Sequence, residues 1–418
     1  MKFTEEQKRP AIIKEENIVY MNVRRVHASG LEFMRTIQTI AKPAFAMFIA
    51  TGFCWSQHVP SGPITVSGQS GMVIHDVHVT STTGNCIEIR DSTNITIENS
   101  EIGPCGTAGP TTPGNGIRLS GNNGIYIYDN YIHPETASAT CCDHHDGIFG
   151  SGGNQNVTIQ GNVIAYGESN IEFTGTNSGI TVIGNFLLNP RGPQPRGQNF
   201  QCFGDSAHTC TNVTLRNNYA LSSRDTTKYL YPENQEDSIN FGYVNGATVQ
   251  NNYVTGGHSP SGCGLIADDT ANSIRFEHNL LLNTGQCGIG IADGTNQTVS
   301  GNKIYNATPV PRGGNTAIYV WKQYRNPCGP IAILGNVADM ILSNGQHNAY
   351  WDGGGCTVSL SGNVFNAAAE SQLTPARSAF PTPPIPPQPK QCVATSPYTT
   401  NGASEVPACS ALTAKYYR

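Results

Sequence analysis

The sequence repeats a short unit that is clearest at residues 156–164, which read NVTIQGNVI, and at residues 179–187, which read GITVIGNFL. Each copy combines a short run of alternating residues, a turn containing Asn, and a second apolar pair. Copies recur about every 23 residues, or about every 34 where a loop is inserted, which is typical of stacked-coil proteins. Strands of three to five residues cannot bury a face alone, so the unit predicts coils that stack on one another.

Two columns of residues recur in a fixed phase along the repeat. The turn Asn stands at positions 130, 162, 185, 218, 252, 279, 302, 336 and 363. An apolar position ahead of it holds Ile87, Ile117, Ile148, Ile171, Ile239 and Ile289. In a stack, we expect the amides to hydrogen-bond from coil to coil, as stacked Asn ladders do.

This pattern resembles the right-handed parallel β-helix repeat family, which includes pectate-lyase-like and alginate-epimerase-like proteins. The resemblance runs roughly from Ile64 to Asn366. It implies an all-β solenoid of about 11 coils, which we place at residues 57–370. A fold of this kind does not by itself determine an activity.

The amino-acid composition argues against one fold class and one class of binding partner. Charged residues make up 13% of the chain and Gly numbers 46, which argues against a helix-rich protein. The net charge is −5 and there is no basic run, so nucleic acid is not an expected partner.

Residues 1–56 are interpreted as a leader that contains a secretory signal. The apolar run at residues 43–55 is too short to span a membrane and follows a charged start, with Met34 as a candidate initiation site. A short buried helix is the alternative. The signal predicts a secreted protein or one of the periplasm or cell envelope, with no membrane span.

Cysteine usage points in the same direction. The chain has 13 Cys, of which Cys54 lies in the leader, and the even number that remains suggests disulfides. Spacing offers three pairs without fixing connectivity: Cys202–Cys210, Cys263–Cys287 and Cys392–Cys409. Residues 371–418 form a Pro-rich linker and a tail bracketed by the last pair. No cofactor is predicted, because there is no Cys-x-x-Cys pair and no regular set of carboxylates for Ca²⁺.

The densest group of ionisable residues lies at residues 141–150, which read CCDHHDGIFG. Aligning the copies places further candidates on neighbouring coils, beside the longest inserted loops. The predicted catalytic set is Arg118, Asp143, His144, His145, Asp146 and Glu172. The predicted substrate-binding set is Glu168, Arg191, Arg196, Lys228 and Tyr229. A groove along a rigid rod suits an extended polymer, so we expect a polysaccharide substrate.

The chemistry of this patch favours an acidic polysaccharide. Uronate elimination or carbon-5 epimerisation needs a cation for the substrate carboxylate, a base and an acid, and Arg118 and His145 suit the first two roles. The string Asp143-His144-His145-Asp146 resembles the Asp-Pro-His-Asp motif of alginate carbon-5 epimerases, with His144 in the place of Pro. By that resemblance, Asp143 and His145 take the places of the motif's first Asp and its His.

Two other readings stay open. Hydrolysis needs two carboxylates, which Asp146 with Glu172 or the pair Asp268-Asp269 would supply. A non-catalytic polysaccharide-binding or surface protein is the third. Asp146-Gly147 also fits ordinary turn chemistry, because Asn115-Gly116 occupies the same place in the preceding copy.

Overall fold

The computed structural model describes residues 58–106, 114–134, 145–192, 197–222, 235–257, 259–310 and 314–373. These residues form a right-handed parallel β-helix built from three parallel sheets of 12, 11 and 11 strands. Each coil contributes one strand to each sheet, so a strand pairs with the third strand before it and the third after it. The predicted all-β solenoid of about 11 coils is confirmed.

Consecutive strands along the chain belong to the first, second and third sheet in turn. The first sheet contains β1 (Val59–Ser61), β4 (Val77–Val79), β7 (Glu101–Ile102), β10 (Tyr131–Ile132), β13 (Val163–Ala165), β16 (Phe186–Leu188), β19 (Tyr219–Ser222), β22 (Tyr253–Gly256), β25 (Leu280–Leu282), β28 (Lys303–Asn306), β31 (Val337–Met340) and β34 (Val364–Phe365). The second sheet contains β2 (Ile64–Ser67), β5 (Ile87–Arg90), β8 (Ile117–Ser120), β11 (Ile148–Ser151), β14 (Ile171–Thr174), β17 (Phe200–Phe203), β20 (Ile239–Gly242), β23 (Cys263–Ala267), β26 (Cys287–Ile291), β29 (Thr316–Trp321) and β32 (Tyr350–Gly354). The third sheet contains β3 (Val73–His75), β6 (Thr93–Glu98), β9 (Asn123–Tyr128), β12 (Gln155–Gln160), β15 (Asn177–Ile183), β18 (Cys210–Arg216), β21 (Val244–Gln250), β24 (Asn272–Glu277), β27 (Gln297–Ser300), β30 (Ile331–Leu334) and β33 (Val358–Ser361). A 3₁₀ helix at Asn366–Ala369 follows the last strand.

The core runs along the axis of the coils. Ile148 pairs with Ile117 on one side and with Ile171 on the other, and all three side chains are buried. The isoleucine column predicted from the sequence is therefore confirmed. Phe200 and Leu265 occupy the same column in coils where the sequence pattern shows no Ile. Stacking buries one continuous apolar column that no single coil could bury.

The turn asparagines form an unbroken ladder, as predicted. The Oδ1 atom of Asn162 accepts hydrogen bonds from the backbone N and the Nδ2 of Asn130, at 2.9 and 3.0 Å. The same pair of bonds repeats from coil to coil until Asn336 donates to Asn363. A second, shorter ladder joins Asn122, Asn154 and Asn177. These bonds satisfy amides that would otherwise be buried without partners.

Disulfides join cysteines on the same coil and on neighbouring coils. The pairs Cys202–Cys210 and Cys263–Cys287 are confirmed. Two further disulfides, Cys86–Cys105 and Cys328–Cys356, were not predicted. The pair Cys392–Cys409 lies outside the described residues.

The predicted leader at residues 1–56 and nearly all of the predicted tail at 371–418 also lie outside the described residues, so both assignments stay predictions. Within the part of the chain that the structure describes, no helix is long and apolar enough to cross a membrane.

Candidate functional site

One outward-facing column of the second sheet carries the residues of interest. Glu88, Arg118, Phe149 and Glu172 occupy matching positions on successive strands, as the aligned copies predict. Gln201 follows Glu172, where the alignment of copies placed Asn240, and Asn240 stands one coil later. The column then continues through Ile266, Gly290, Tyr319 and Trp351.

Arg118 and Glu172 therefore lie on the same face of the protein, with Phe149 between them. The guanidinium carbon of Arg118 lies 5.8 Å from the centre of the Phe149 ring, and its Nε is 3.8 Å from Oε1 of Glu88. About a third of the Arg118 side chain is exposed, whereas Glu172 is buried. Among the described residues of this patch, Arg118 is a cation that a substrate can reach.

His145 lies in the turn that leads into this sheet, and it is fully buried. A Cβ atom on Gly114 would lie 2.9 Å from the imidazole Cε1, so the ring packs directly on the backbone there. The carbonyl of His145 accepts the N–H of Glu168 at 3.0 Å, and the carbonyl of Glu168 accepts the N–H of Gly192 at 3.1 Å. The expected proximity of His145 and Glu168 is confirmed, and Arg191 lies one coil further on.

Asp146 occupies a position in a third ladder of turn residues. Its Oδ1 accepts the backbone N–H of Ser169 at 2.9 Å, and its own N–H donates to Oδ1 of Asn115 at 2.8 Å. This supports the turn reading of Asp146. Its catalytic role stays a prediction.

The remaining members of the predicted patch divide into two groups. Arg191 is described, and its side chain is buried with 2% of its surface exposed. Asp143, His144, Arg196, Lys228 and Tyr229 lie outside the described residues. The predicted roles of these residues stay predictions.

Further along the same face, the column leads into a cavity of about 510 Å³. We call it the acid–aromatic cleft and define it by the acidic and aromatic residues of its lining that the argument uses. These are Asp237, Asp268, Tyr319, Trp321, Tyr324 and Trp351.

Two carboxylates in the cleft share one amide. Nδ2 of Asn240 donates to Oδ2 of Asp237 at 2.9 Å and to Oδ2 of Asp268 at 3.4 Å. The other oxygen of Asp237 accepts the backbone N–H of Cys263 at 2.7 Å, and the other oxygen of Asp268 accepts the Tyr324 hydroxyl at 2.9 Å. Each carboxylate is therefore held at both oxygens, and the two face each other across Asn240.

The environment of this pair favours retention of a proton. Burial raises the pKa of Asp237 well above its ordinary value, and the charges of Glu236 and Asp268 raise that pKa further. Burial also raises the pKa of Asp268, against the opposing effect of the hydrogen bonds from Tyr324 and Asn240. Two interacting carboxyl groups in a low-dielectric site do not both ionise readily, which is the arrangement needed for acid–base work.

Aromatic rings form the wall beyond the carboxylates. The Tyr319 ring lies over Gly290, where a Cβ atom would come within 2.6 Å of the ring Cε1. Gly290 thus allows Tyr319 to reach back towards the acid pair. Burial raises the pKa of Tyr319, so its hydroxyl stays protonated and can donate.

A neighbouring acidic group is held by an amide. Nδ2 of Asn326 donates to Oδ1 of Asp269 at 2.9 Å and to Oδ2 of Asp293 at 2.8 Å. Among the residues that the structure describes, no group of three or more His, Cys, Asp or Glu is placed to hold a metal ion.

The family model of the right-handed β-helix region matches residues 63–192 and 197–336. The chain belongs to the right-handed β-helix family. A comparison with curated protein sequences finds no match.

Solved structures share the fold at low sequence identity. The Dettilon tailspike protein is 16% identical with a TM-score of 0.45, over 74% of this chain and 59% of that one. The periplasmic alginate epimerase, as a double mutant, is 11% identical with a TM-score of 0.43, over 73% of this chain and 72% of that one. The DFA-IIIase from Arthrobacter chlorophenolicus A6 is 16% identical with a TM-score of 0.41, over 70% of this chain and 68% of that one. The chain thus spans less than two thirds of the tailspike protein.

The alignment of copies predicted which residues share the outward column, but it did not predict the aromatic wall of the cleft. Asp268 was considered only as part of an Asp-Asp pair, and Asp237 was not among the predicted site residues. Tyr319 and Trp351 were missed, although both stand at the outward position one residue after the apolar column. Extending the alignment of that outward position through the later coils would have identified both residues from the sequence.

Proposed function

We propose that this protein is an exported carbohydrate-active enzyme that hydrolyses a glycosidic bond in the acid–aromatic cleft. The observation that carries the proposal is the pair Asp237 and Asp268, which share the Asn240 amide inside a cavity with an aromatic wall. Hydrolysis of a glycoside uses two carboxyl groups, one protonated and one ionised.

The hydrogen bonds and the burial support a separate role for each carboxyl group. Asp237, whose pKa is raised well above the ordinary value, holds the proton and gives it to the leaving glycosidic oxygen. Asp268 accepts hydrogen bonds from Tyr324 and Asn240, which favour its ionised form, and it attacks the anomeric carbon. The bond from the anomeric carbon to the leaving oxygen breaks. Water then displaces Asp268, and its proton returns to Asp237.

The short separation of the two carboxylates supports a covalent intermediate. Two oxygens that lie 2.9 and 3.4 Å from the same nitrogen are closer together than the roughly 6.5 Å at which the inverting range begins. We therefore expect the product to keep the anomeric configuration of the substrate.

The proposal includes a polymeric substrate and export of the protein from the cytoplasm. The outward column is one face of a continuous sheet, and a surface of that kind suits an extended chain better than a small molecule. Four disulfides among the described residues fit a secreted protein or one of the periplasm or cell envelope.

A second candidate is elimination or carbon-5 epimerisation of a uronate at the patch predicted from the sequence. The observation that favours it is the partly exposed Arg118 on the same face as Glu172, where a cation would meet a substrate carboxylate. Binding without catalysis is the outcome expected if neither patch reacts.

The test is a panel of neutral and uronate polysaccharides, followed for new reducing ends, unsaturated ends, exchange of the carbon-5 proton and the anomeric configuration of the product. We expect new reducing ends without unsaturation, and NMR should show that the product retains the anomeric configuration. Asp237→Asn and Asp268→Asn should each reduce the rate by roughly a thousandfold or more. Asp339→Asn is the matched control for Asp237→Asn, because Asp339 is also buried but lies on the first sheet beside His347. It is expected to keep the activity.

Other outcomes would replace the proposal. Unsaturated ends, or exchange of the carbon-5 proton, that disappear in Arg118→Ala or His145→Gln but persist in Asp237→Asn would establish the uronate reaction. Binding without any product would leave a polysaccharide-binding protein.

A further inference from the structure

Two large apolar side chains stay exposed at the far end of the acid–aromatic cleft. Trp321 ends β29 and Trp351 lies on β32, and they keep 41% and 45% of their surface exposed. Both line the same cavity as the acid pair. A contiguous exposed aromatic surface of this kind typically marks a binding site.

The two indoles are held together by a specific local arrangement. Their ring centres are 6.1 Å apart at an angle of 68°, and the Tyr319 ring lies 6.5 Å from that of Trp351. Gly353 sits between the indoles, since a Cβ atom there would lie 2.6 Å from Cδ1 of Trp321 and 2.6 Å from Cη2 of Trp351. Any larger residue would push them apart. The three rings therefore form one continuous surface that leads to the carboxylates.

The charge of the lining selects among possible ligands. Among the residues that the structure describes, the lining contains the carboxyl groups of Glu236, Asp237 and Asp268 and no Lys or Arg. Asp237 holds a proton in the proposed reaction, so Glu236 and Asp268 supply the negative charge. The other polar residues of the lining are neutral. A uronate carboxylate would meet like charge here, and no Lys or Arg of the described lining would offset it. Like charges brought together in a partly buried site strongly disfavour binding. A neutral sugar ring has an apolar face that packs on an indole and hydroxyl groups that the polar residues can bind.

We propose that Trp321 and Trp351 form a binding subsite for a sugar ring of a neutral glycan, next to the bond that the acid pair cleaves. The link to cleavage rests on the proposed function, but the binding itself does not. The substrate class is therefore a neutral polysaccharide, in contrast to the uronate polymer expected from the sequence.

Binding is measured in the Asp237→Asn background by titration calorimetry with neutral and uronate oligosaccharides. This variant prevents turnover and keeps the negative charge of Asp268. We expect a neutral oligosaccharide to bind and the uronates not to bind. Trp321→Ala and Trp351→Ala each weaken the affinity by about tenfold, whereas Trp351→Phe keeps part of it. Gly353→Ala weakens binding with both indoles still present. Leu360→Ala is the matched control, because Leu360 is equally exposed on the third sheet, and it leaves the affinity unchanged.

The outcomes separate this inference from the proposed function. Binding of neutral oligosaccharides that needs Trp321 and Trp351, without cleavage by the wild-type protein, supports the subsite and removes the hydrolase. Cleavage and binding that are unaffected by Trp321→Ala, Trp351→Ala and Gly353→Ala overturn the subsite and leave the hydrolase. The subsite is also overturned if uronates bind more tightly than neutral sugars, or if the site binds another protein and no sugar.

Discussion

Asp237 receives opposing influences on its charge. The backbone N–H of Cys263 and the Asn240 amide donate to its oxygens and favour the anion, whereas burial and the charges of Glu236 and Asp268 favour the protonated form. The net effect is a raised pKa, because desolvation outweighs the hydrogen bonds. Asp268 differs through Tyr324, whose hydroxyl favours its anion. This difference between two neighbouring carboxyl groups underlies their separate roles in the proposed reaction.

For the proposed hydrolysis, we expect the Tyr324 hydroxyl to influence the acidic side of the pH profile. Tyr324→Phe removes a donor that lowers the pKa of Asp268, so that pKa rises and the acidic limb of kcat/KM moves to higher pH. The measurement is kcat/KM against pH for the wild type and the variant. Tyr131→Phe, a tyrosine of the first sheet, is the control and leaves the limb in place. An acidic limb that does not move in Tyr324→Phe would remove Asp268 as the ionised partner.

At the scale of the strand and its turn, the repeat explains both the success and the limit of sequence reasoning. The columns at Ile148 and Asn162 were predictable, because each coil repeats the same alternation and the same turn. The cleft is not repeated from coil to coil. Tyr324 reaches Asp268 across 56 residues of chain, from a loop that no copy of the unit resembles. Periodicity predicts contacts between equivalent positions, and it says nothing of contacts made by insertions.

The Asn ladder predicts a gradient of stability along the β-helix. Asn218 accepts two hydrogen bonds from Asn185 and donates to Val182 and Asn252, all buried, whereas Asn363 ends the ladder and is partly exposed. Asn218→Ala leaves buried partners unsatisfied and lowers the free energy of unfolding by about 1–3 kcal/mol or more. Asn363→Ala lowers it by less. Denaturant unfolding of both variants checks this, and equal losses would contradict the predicted gradient.

For the whole molecule, the coils bring distant residues onto one face. Arg118, Glu172, Asn240, Tyr319 and Trp351 share a single column although they span most of the β-helix. The sequence identified this face because the phase of the repeat fixes which side chains point outward. It did not predict which end of the face would be walled into a cavity, because that depends on how the loops fold over it.

The buried acid pair also makes the stability of the whole protein depend on pH. A carboxyl group whose folded-state pKa is raised binds its proton more tightly in the folded protein than in the unfolded chain. That stabilisation is fully present below the unfolded pKa and is lost as pH rises through the folded pKa. The free energy of unfolding should therefore fall as pH rises through this window. Asp237→Asn should flatten the slope, and an unchanged slope in urea unfolding would contradict the raised pKa.

The most direct test of the account is a crystal structure of the Asp268→Asn variant soaked with an oligosaccharide that the wild-type protein cleaves. We predict that the glycosidic oxygen lies within hydrogen-bonding distance of Asp237, with a sugar ring packed on Trp321 or Trp351. An oligosaccharide bound instead at Arg118 and Glu172, with the acid–aromatic cleft empty, would contradict it.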